Sequence, residues 1–188
     1  MAKELLDGDI HSKNAELIGK DRNTAKVFFY SLLYGVGITK LAQDTLKCNI
    51  KEAKKIMDSF YDGNPGLKKL KEYLERYYKK HKHIVGIDGR PLYIRSNHVL
   101  LNSLIQGGAA IIFKKWSTLV WREIDRLELD AEVIIMYHDE LQIRCHEKDT
   151  GRLKVVLRET LDQVALYYKL KVPLATDSAT GSNWSITH

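Results

Sequence analysis

Apolar positions along this chain recur mainly at helical spacing, and two stretches switch to strand-like runs. The helical pattern predicts a short helix over 14–18 after a polar start, then one over 22–34 with Asp21 placed to cap it and Gly35 to stop it. Two amphipathic helices follow over 38–47 and 51–62, then the turn Asp62-Gly-Asn-Pro-Gly66 and a helix over 67–81. Residues 84–87 and 90–95 flank Asp88-Gly89 and read as a β-hairpin. A long helix is expected over 102–126, with Trp116 and Trp121 in its core face. A second pair of strands, 132–137 and 141–146, is separated only by His138-Asp139-Glu140, and a helix over 150–168 and a polar tail close the chain. The pattern is α+β: mainly helical, with two β-hairpins.

Composition narrows the class. With 188 residues, 44% hydrophobic and 29% charged, the chain has the make-up of a globular protein with a real core. A net charge of +6 favours an anionic partner. Cys48 and Cys145 lack disulfide-framework or metal-site spacing, which points to a reducing, cytoplasmic compartment. No apolar run approaches bilayer length; the longest lies near residues 109–113.

The most informative stretch is residues 22–35. Arg22, Lys26, Tyr30 and Tyr34 recur every fourth residue. On a helix each such step advances about 6 Å and drifts by roughly 40°. Arg22, Lys26 and Tyr30 therefore share a face, with Tyr34 at its edge. Two cations followed by a hydroxylated ring suit the phosphates, sugar and base of a nucleoside triphosphate. The same stripe, read alone, is also what an ordinary solvated helix face looks like.

His138-Asp139-Glu140 is the other chemical feature. Two apolar strands would hold its carboxylates on a rigid platform, open to a hard cation such as Mg²⁺. Acidic turns are also common without function.

Taken together, these stretches carry a resemblance. Arg22-xxx-Lys26-xxx-Tyr30-xxx-Tyr34-Gly35 resembles motif B, the fingers helix of family A DNA polymerases, and His138-Asp139-Glu140 resembles motif C. Gly8-Asp-Ile-His11, Asp88-Gly-Arg90 and Asn102-xxx-Gln106-Gly fall in the family's order, and Asn183-Trp184-xxx-His188 is similar to the ending of phage replicative members. The resemblance implies a fingers portion over 1–83 and a palm portion over 84–188, working in a bacterial or phage-infected host cytoplasm. It implies that His11, Arg22, Lys26, Tyr30 and Tyr34 bind the incoming dNTP. Arg90, Asn102, Gln106 and His138 would touch primer–template DNA, although Asn102 and Gln106 at i, i+4 could instead bond within their helix. Asp139 would bind catalytic Mg²⁺, with Glu140 a secondary acidic group. It also implies that tyrosine, rather than phenylalanine, at position 30 goes with acceptance of dideoxynucleotides.

One part of the family pattern is missing. Two-metal phosphoryl transfer takes carboxylates from more than one element, and the family's second aspartate lies in motif A. Asp58, Asp130 and Asp177 are not in motif A contexts, so two Mg²⁺ ions would be only partly liganded by this chain. The expectation is the C-terminal part or subunit of a polymerase, inactive without a complementary polypeptide carrying motif A, the thumb and any exonuclease. Its Met1 falls where the family sequence would continue, while the tail reads as complete. A noncatalytic nucleic-acid-binding remnant, using the basic, Tyr-rich helix over 67–83, is the alternative. A nuclease using His11, Asp139 and Glu140 is a third reading.

Overall fold

Short polar side chains start the first helices of the computed structural model, which describes residues 8–187. Asp9 caps α1 (Ile10–Ile18) by accepting from the His11 and Ser12 N–H groups, and Asp21 caps α2 (Arg22–Leu33) through Asn23 and Thr24. The cap at Asp9 makes α1 begin earlier than the expected residue 14. Asn49 caps α4 (Ile50–Gly63), and Pro65 opens α5 (Pro65–His81) at a position where a missing N–H costs nothing.

Between α2 and α4 the expected single helix is instead α3 (Ile38–Lys40) running into a π-helical segment, Leu41–Leu46. Leu41, Ala42 and Leu46 are all buried there. At ordinary helical pitch, residues five apart point about 140° away from each other. The wider i→i+5 turn brings Leu41 and Leu46 to one side, so burial of both explains the distortion.

The chain divides between Gly107 and Gly108 into two compact units. In the first, Ala25, Phe28 and Leu32 of α2 pack with Leu41, Ala42, Ala53 and Phe60. The fully buried Phe28 and Phe60 rings meet edge to face at 5.4 Å. A second cluster in this unit joins Leu74 of α5 to Ile84, Leu100 and Leu101. Gly35 ends α2 at φ 72°, and a Cβ there would lie 2.7 Å from the His98 carbonyl oxygen, so only glycine fits.

Strands β1 (His83–Val85) and β2 (Pro91–Tyr93) pair antiparallel, with Ile84 opposite Leu92. Asp88-Gly89 is not a two-residue turn at their junction. The connection is longer: Gly89 N–H donates to Gly86 O, and Gly86 N–H donates to Arg90 O. Ile84 and Leu92 reach the core from the paired residues, and pairing stops at Val85–Pro91, where both side chains are exposed.

Helix α6 (Leu100–Arg126) contributes Trp116, Val120 and Ile124 to the core of the second unit. There they meet Leu153, Val156, Leu161 and Val164 of α7 (Thr150–Tyr167). Trp116 is buried and donates its indole N–H to Leu157 O at 3.0 Å. Trp121, expected in the core, is 63% exposed. It lies five residues beyond Trp116, which on a helix is the far side of the axis. Strands β3 (Ala131–Tyr137) and β4 (Glu140–Cys145) form the second antiparallel pair. The buried Asp149 carboxylate ties the start of β3 to α7, accepting from Asp130 N–H and from Arg152. The chain ends in a short helix, α8 (Trp184–Thr187). The fold is α+β, with two two-stranded sheets among the described residues.

Removing the Phe28 ring leaves a cavity against Phe60 that backbone relaxation cannot close. Phe28→Ala should cost about 3–5 kcal/mol, seen as a lower urea midpoint of far-UV circular dichroism. A loss under about 1 kcal/mol would mean that this contact is not central to the unit.

Candidate active site

Burial of Ala25, Phe28 and Leu32 turns the opposite side of α2 outward. That side carries Arg22, Lys26 and Tyr30, all exposed, as the sequence periodicity predicts. Tyr34 is the C-cap, its N–H bonded to Tyr30 O at 2.8 Å, and its side chain is also exposed. The His11 ring of α1 lies 5.8 Å from the Tyr30 ring and 6.2 Å from Phe29. His11 Nδ1 is buried without a hydrogen-bond partner among the described residues. The structure thus gathers His11, Arg22, Lys26 and Tyr30 on one surface of the first unit.

The two cations differ. Lys26 makes no ion pair among the described residues, whereas Arg22 Nε donates to Asp9 Oδ2 at 2.6 Å. Asp9 also accepts from the Ser12 hydroxyl and from the N–H groups that it caps. The Arg22 guanidinium, followed by these other donors, holds the Asp9 carboxyl well below the usual carboxylate range. In the sequence Asp9 stands out only as part of the segment leading to His11. Its place at the N-cap of α1 was readable, but its pairing with a residue thirteen positions on was not.

The DNA-contact candidates of this unit are scattered in character. Arg90 sits in the β1–β2 connection beside Asp88, at 3.4 Å. Asn102 and Gln106 make no hydrogen bond to each other among the described residues, and the Asn102 Oδ1 is buried without a partner.

In the second unit His138 and Asp139 form a two-residue loop, with Tyr137 paired to Glu140. His138 takes φ 51°, as primed hairpin turns require at their first central residue. Asp139 is exposed at the tip. Glu140 belongs to β4 rather than to the turn, and its carboxylate accepts from the Gln142 side-chain amide. Asp139 and Glu140 line a cleft of about 780 Å³ with Gln142, Arg144, Lys154 and Trp184. Their oxygens are the right donors for Mg²⁺. Among the described residues no three His, Cys, Asp or Glu side chains converge as a metal site.

With this geometry in hand, likeness to known proteins is informative. The family model for DNA polymerase family A matches residues 3–186. The chain belongs to DNA polymerase family A. It is 30% identical over 211 residues to the DNA-directed DNA polymerase of Escherichia phage T7, covering 100% of this chain and 30% of that protein. It is 31% identical over 202 residues to DNA polymerase I of Caldicellulosiruptor bescii, covering 94% of this chain and 23% of that one. The fold is similar to the POL domain of Pol1 from M. smegmatis, solved in complex with DNA primer-template and dNTP, with a TM-score of 0.74 and 26% identity. That match covers 84% of this chain and 31% of the other. This family A chain thus spans less than a third of the length of these relatives. Among its described residues no helix is long and apolar enough to cross a membrane.

The Asp9–Arg22 pair gives a pH signature of defined sign. Because the folded-state value is depressed, its contribution to stability is complete above the ordinary value of 3.8 and is lost as pH falls through the folded value. A carboxyl NMR titration should find Asp9 still ionised below that ordinary value in the native chain. Arg22→Gln should move its midpoint upward, and an unmoved midpoint would show that Arg22 is not its main partner.

Proposed function

We propose that this chain supplies the fingers (residues 1–83) and part of the palm (residues 84–188) of a DNA-directed DNA polymerase. The enzyme adds dNTPs to a primer 3′ end in DNA replication. In this reading a second polypeptide carries motif A, the thumb and any exonuclease. The observation that carries the reading is the family match over residues 3–186, which takes in both the exposed Arg22–Lys26–Tyr30 face and the Asp139 hairpin.

Lys26 and Arg22 bind the triphosphate of the incoming nucleotide, with His11 adding a contact, and Tyr30 and Tyr34 meet the sugar and base. Lys26 is ready as it stands, while Arg22 exchanges Asp9 for phosphate oxygens. His138, Asn102, Gln106 and Arg90 contact primer–template DNA, and the buried, unpartnered Asn102 Oδ1 is an acceptor suited to a donor from outside the chain. Asp139 contributes one carboxylate toward two Mg²⁺ ions, and Glu140 stands behind it. When bound, Mg²⁺ offsets charge on the phosphates and lowers the pKa of an attacking hydroxyl. Because the chain holds too few carboxylates for this alone, the isolated polypeptide is inactive.

Primer extension with dNTPs and Mg²⁺ tests the reading, comparing the chain alone with the chain plus a motif A and thumb polypeptide. Extension only in the mixture, abolished by Asp139→Asn, is expected. No extension in either would favour a noncatalytic DNA-binding role.

Two substitutions probe the nucleotide face in the assembled enzyme. A charge-assisted hydrogen bond contributes about 1.5–3 kcal/mol, so Lys26→Ala should lower kcat/KM for dNTP by roughly tenfold to over a hundredfold. The Tyr30 hydroxyl can take the bonding place of a missing sugar hydroxyl, so dideoxynucleotides should be incorporated readily and Tyr30→Phe should make the enzyme reject them. Strong rejection by the native chain would remove Tyr30 from the sugar contact.

A further inference from the structure

One surface of the first unit is left unexplained by the nucleotide face. Tyr73, Tyr77 and His81 follow one another along α5, and His83 and Tyr93 continue the row onto the β1–β2 pair. The contacts are continuous: Tyr73–Tyr77 at 5.8 Å, Tyr77–His81 stacked at 4.3 Å, His81–His83 at 6.0 Å and His83–Tyr93 at 6.0 Å. The core does not account for it. The buried side of α5 is Leu74, packed with Leu67, Leu70 and Tyr78, and the Tyr78 hydroxyl is spent on Ile94 O. Tyr73 and Tyr93 remain 53% and 81% exposed.

Charge runs beside the rings. At 100° per residue, Lys69, Arg76 and Lys80 fall on the flank of the Tyr73–Tyr77 line opposite Leu70 and Leu74. All three are exposed, and none makes an ion pair among the described residues. Helix α5 carries six lysine and arginine residues against two glutamates, and Glu75 is occupied by Lys71.

A row of rings, exposed at Tyr73, His81 and Tyr93 and half-buried at Tyr77 and His83, edged by unpaired cations among the described residues, matches one ligand chemistry: unpaired bases that need a π surface, on a backbone that needs positive charge. A duplex hides its base faces and would use only the cations. We propose that the Tyr73–Tyr77–His81–His83–Tyr93 row is a binding surface for single-stranded DNA. It rests on the polymerase reading only for which strand would occupy it, an unpaired stretch of the template or of the displaced strand. The rings already touch, so bases lie against their outer faces rather than between them, and recognition is independent of sequence.

Fluorescence anisotropy of a labelled oligothymidylate of about 12 nucleotides, titrated with the whole chain, tests this. Binding should weaken as salt rises. Tyr77→Ala should weaken it roughly fivefold to over a hundredfold, whereas Tyr77→Phe should bind like the native chain. Lys69→Ala with Lys80→Ala should flatten the salt dependence, and a native circular dichroism spectrum excludes unfolding. Asp139→Asn and Lys26→Ala should bind the oligonucleotide normally, so the surface can be affirmed even where polymerase activity fails. Undiminished binding by a Tyr73→Ala, Tyr77→Ala double variant, or equal affinity for a duplex of the same length, would overturn the proposal.

Discussion

An amphipathic helix can bury one stripe only, and the first unit depends on how α2 meets that constraint. Ala25, Phe28 and Leu32 are drawn into a core closed by Phe60 and the π-helical Leu41 and Leu46. Once they are inside, the fourfold spacing of Arg22, Lys26 and Tyr30 leaves those residues no place except the outer face. The chemistry of that face is thus fixed by hydrophobic burial on its reverse. A substitution at Phe28 therefore bears on the placing of that face as well as on stability.

Electrostatics then grade what burial has placed. Asp9 caps α1 and holds Arg22 with the same carboxylate, so one side chain joins helix start to charged face. An exposed pair of this kind contributes little to stability because water and salt screen it. Its value lies in position: it keeps the guanidinium from straying in the absence of an anion. Lys26 has no such ion pair among the described residues. The two cations are therefore not interchangeable, although they are one helical turn apart in the same stripe.

The sequence made the local elements readable and the tertiary ones not. The α2 face and the His138-Asp139 hairpin were legible because period and turn chemistry are local properties. Helical hydrophobicity alone does not say which of two tryptophans faces the core, and it is Trp116 that is buried and Trp121 that is exposed. The π segment at residues 41–46 and the long β1–β2 connection were invisible for the same reason: each answers to burial of Leu46 or Leu92 against distant partners. The Asp9–Arg22 pair joins separate helices, so no spacing rule announces it. The aromatic row on α5 was seen as Tyr-rich and basic, but its continuation through His83 to Tyr93 exists only once β1 pairs with β2.

The acidic hairpin leaves a strand edge and an apolar run uncovered among the described residues. Strand β3 pairs with β4 alone among the described residues, and a bulge between Val133 and Ile135 shifts the register on the way to the tip. Beyond that shift Ile134, Ile135, Met136 and Tyr137 are all exposed. Four consecutive apolar side chains on a strand with a free edge are an unstable surface for a protein to leave in water. The same strand leads to Asp139 at the exposed tip. An extended segment added along that edge would pair the open backbone groups, cover the apolar side chains and bring its own side chains toward the tip. The turn that carries Asp139 would then lie at the end of a paired and covered strand.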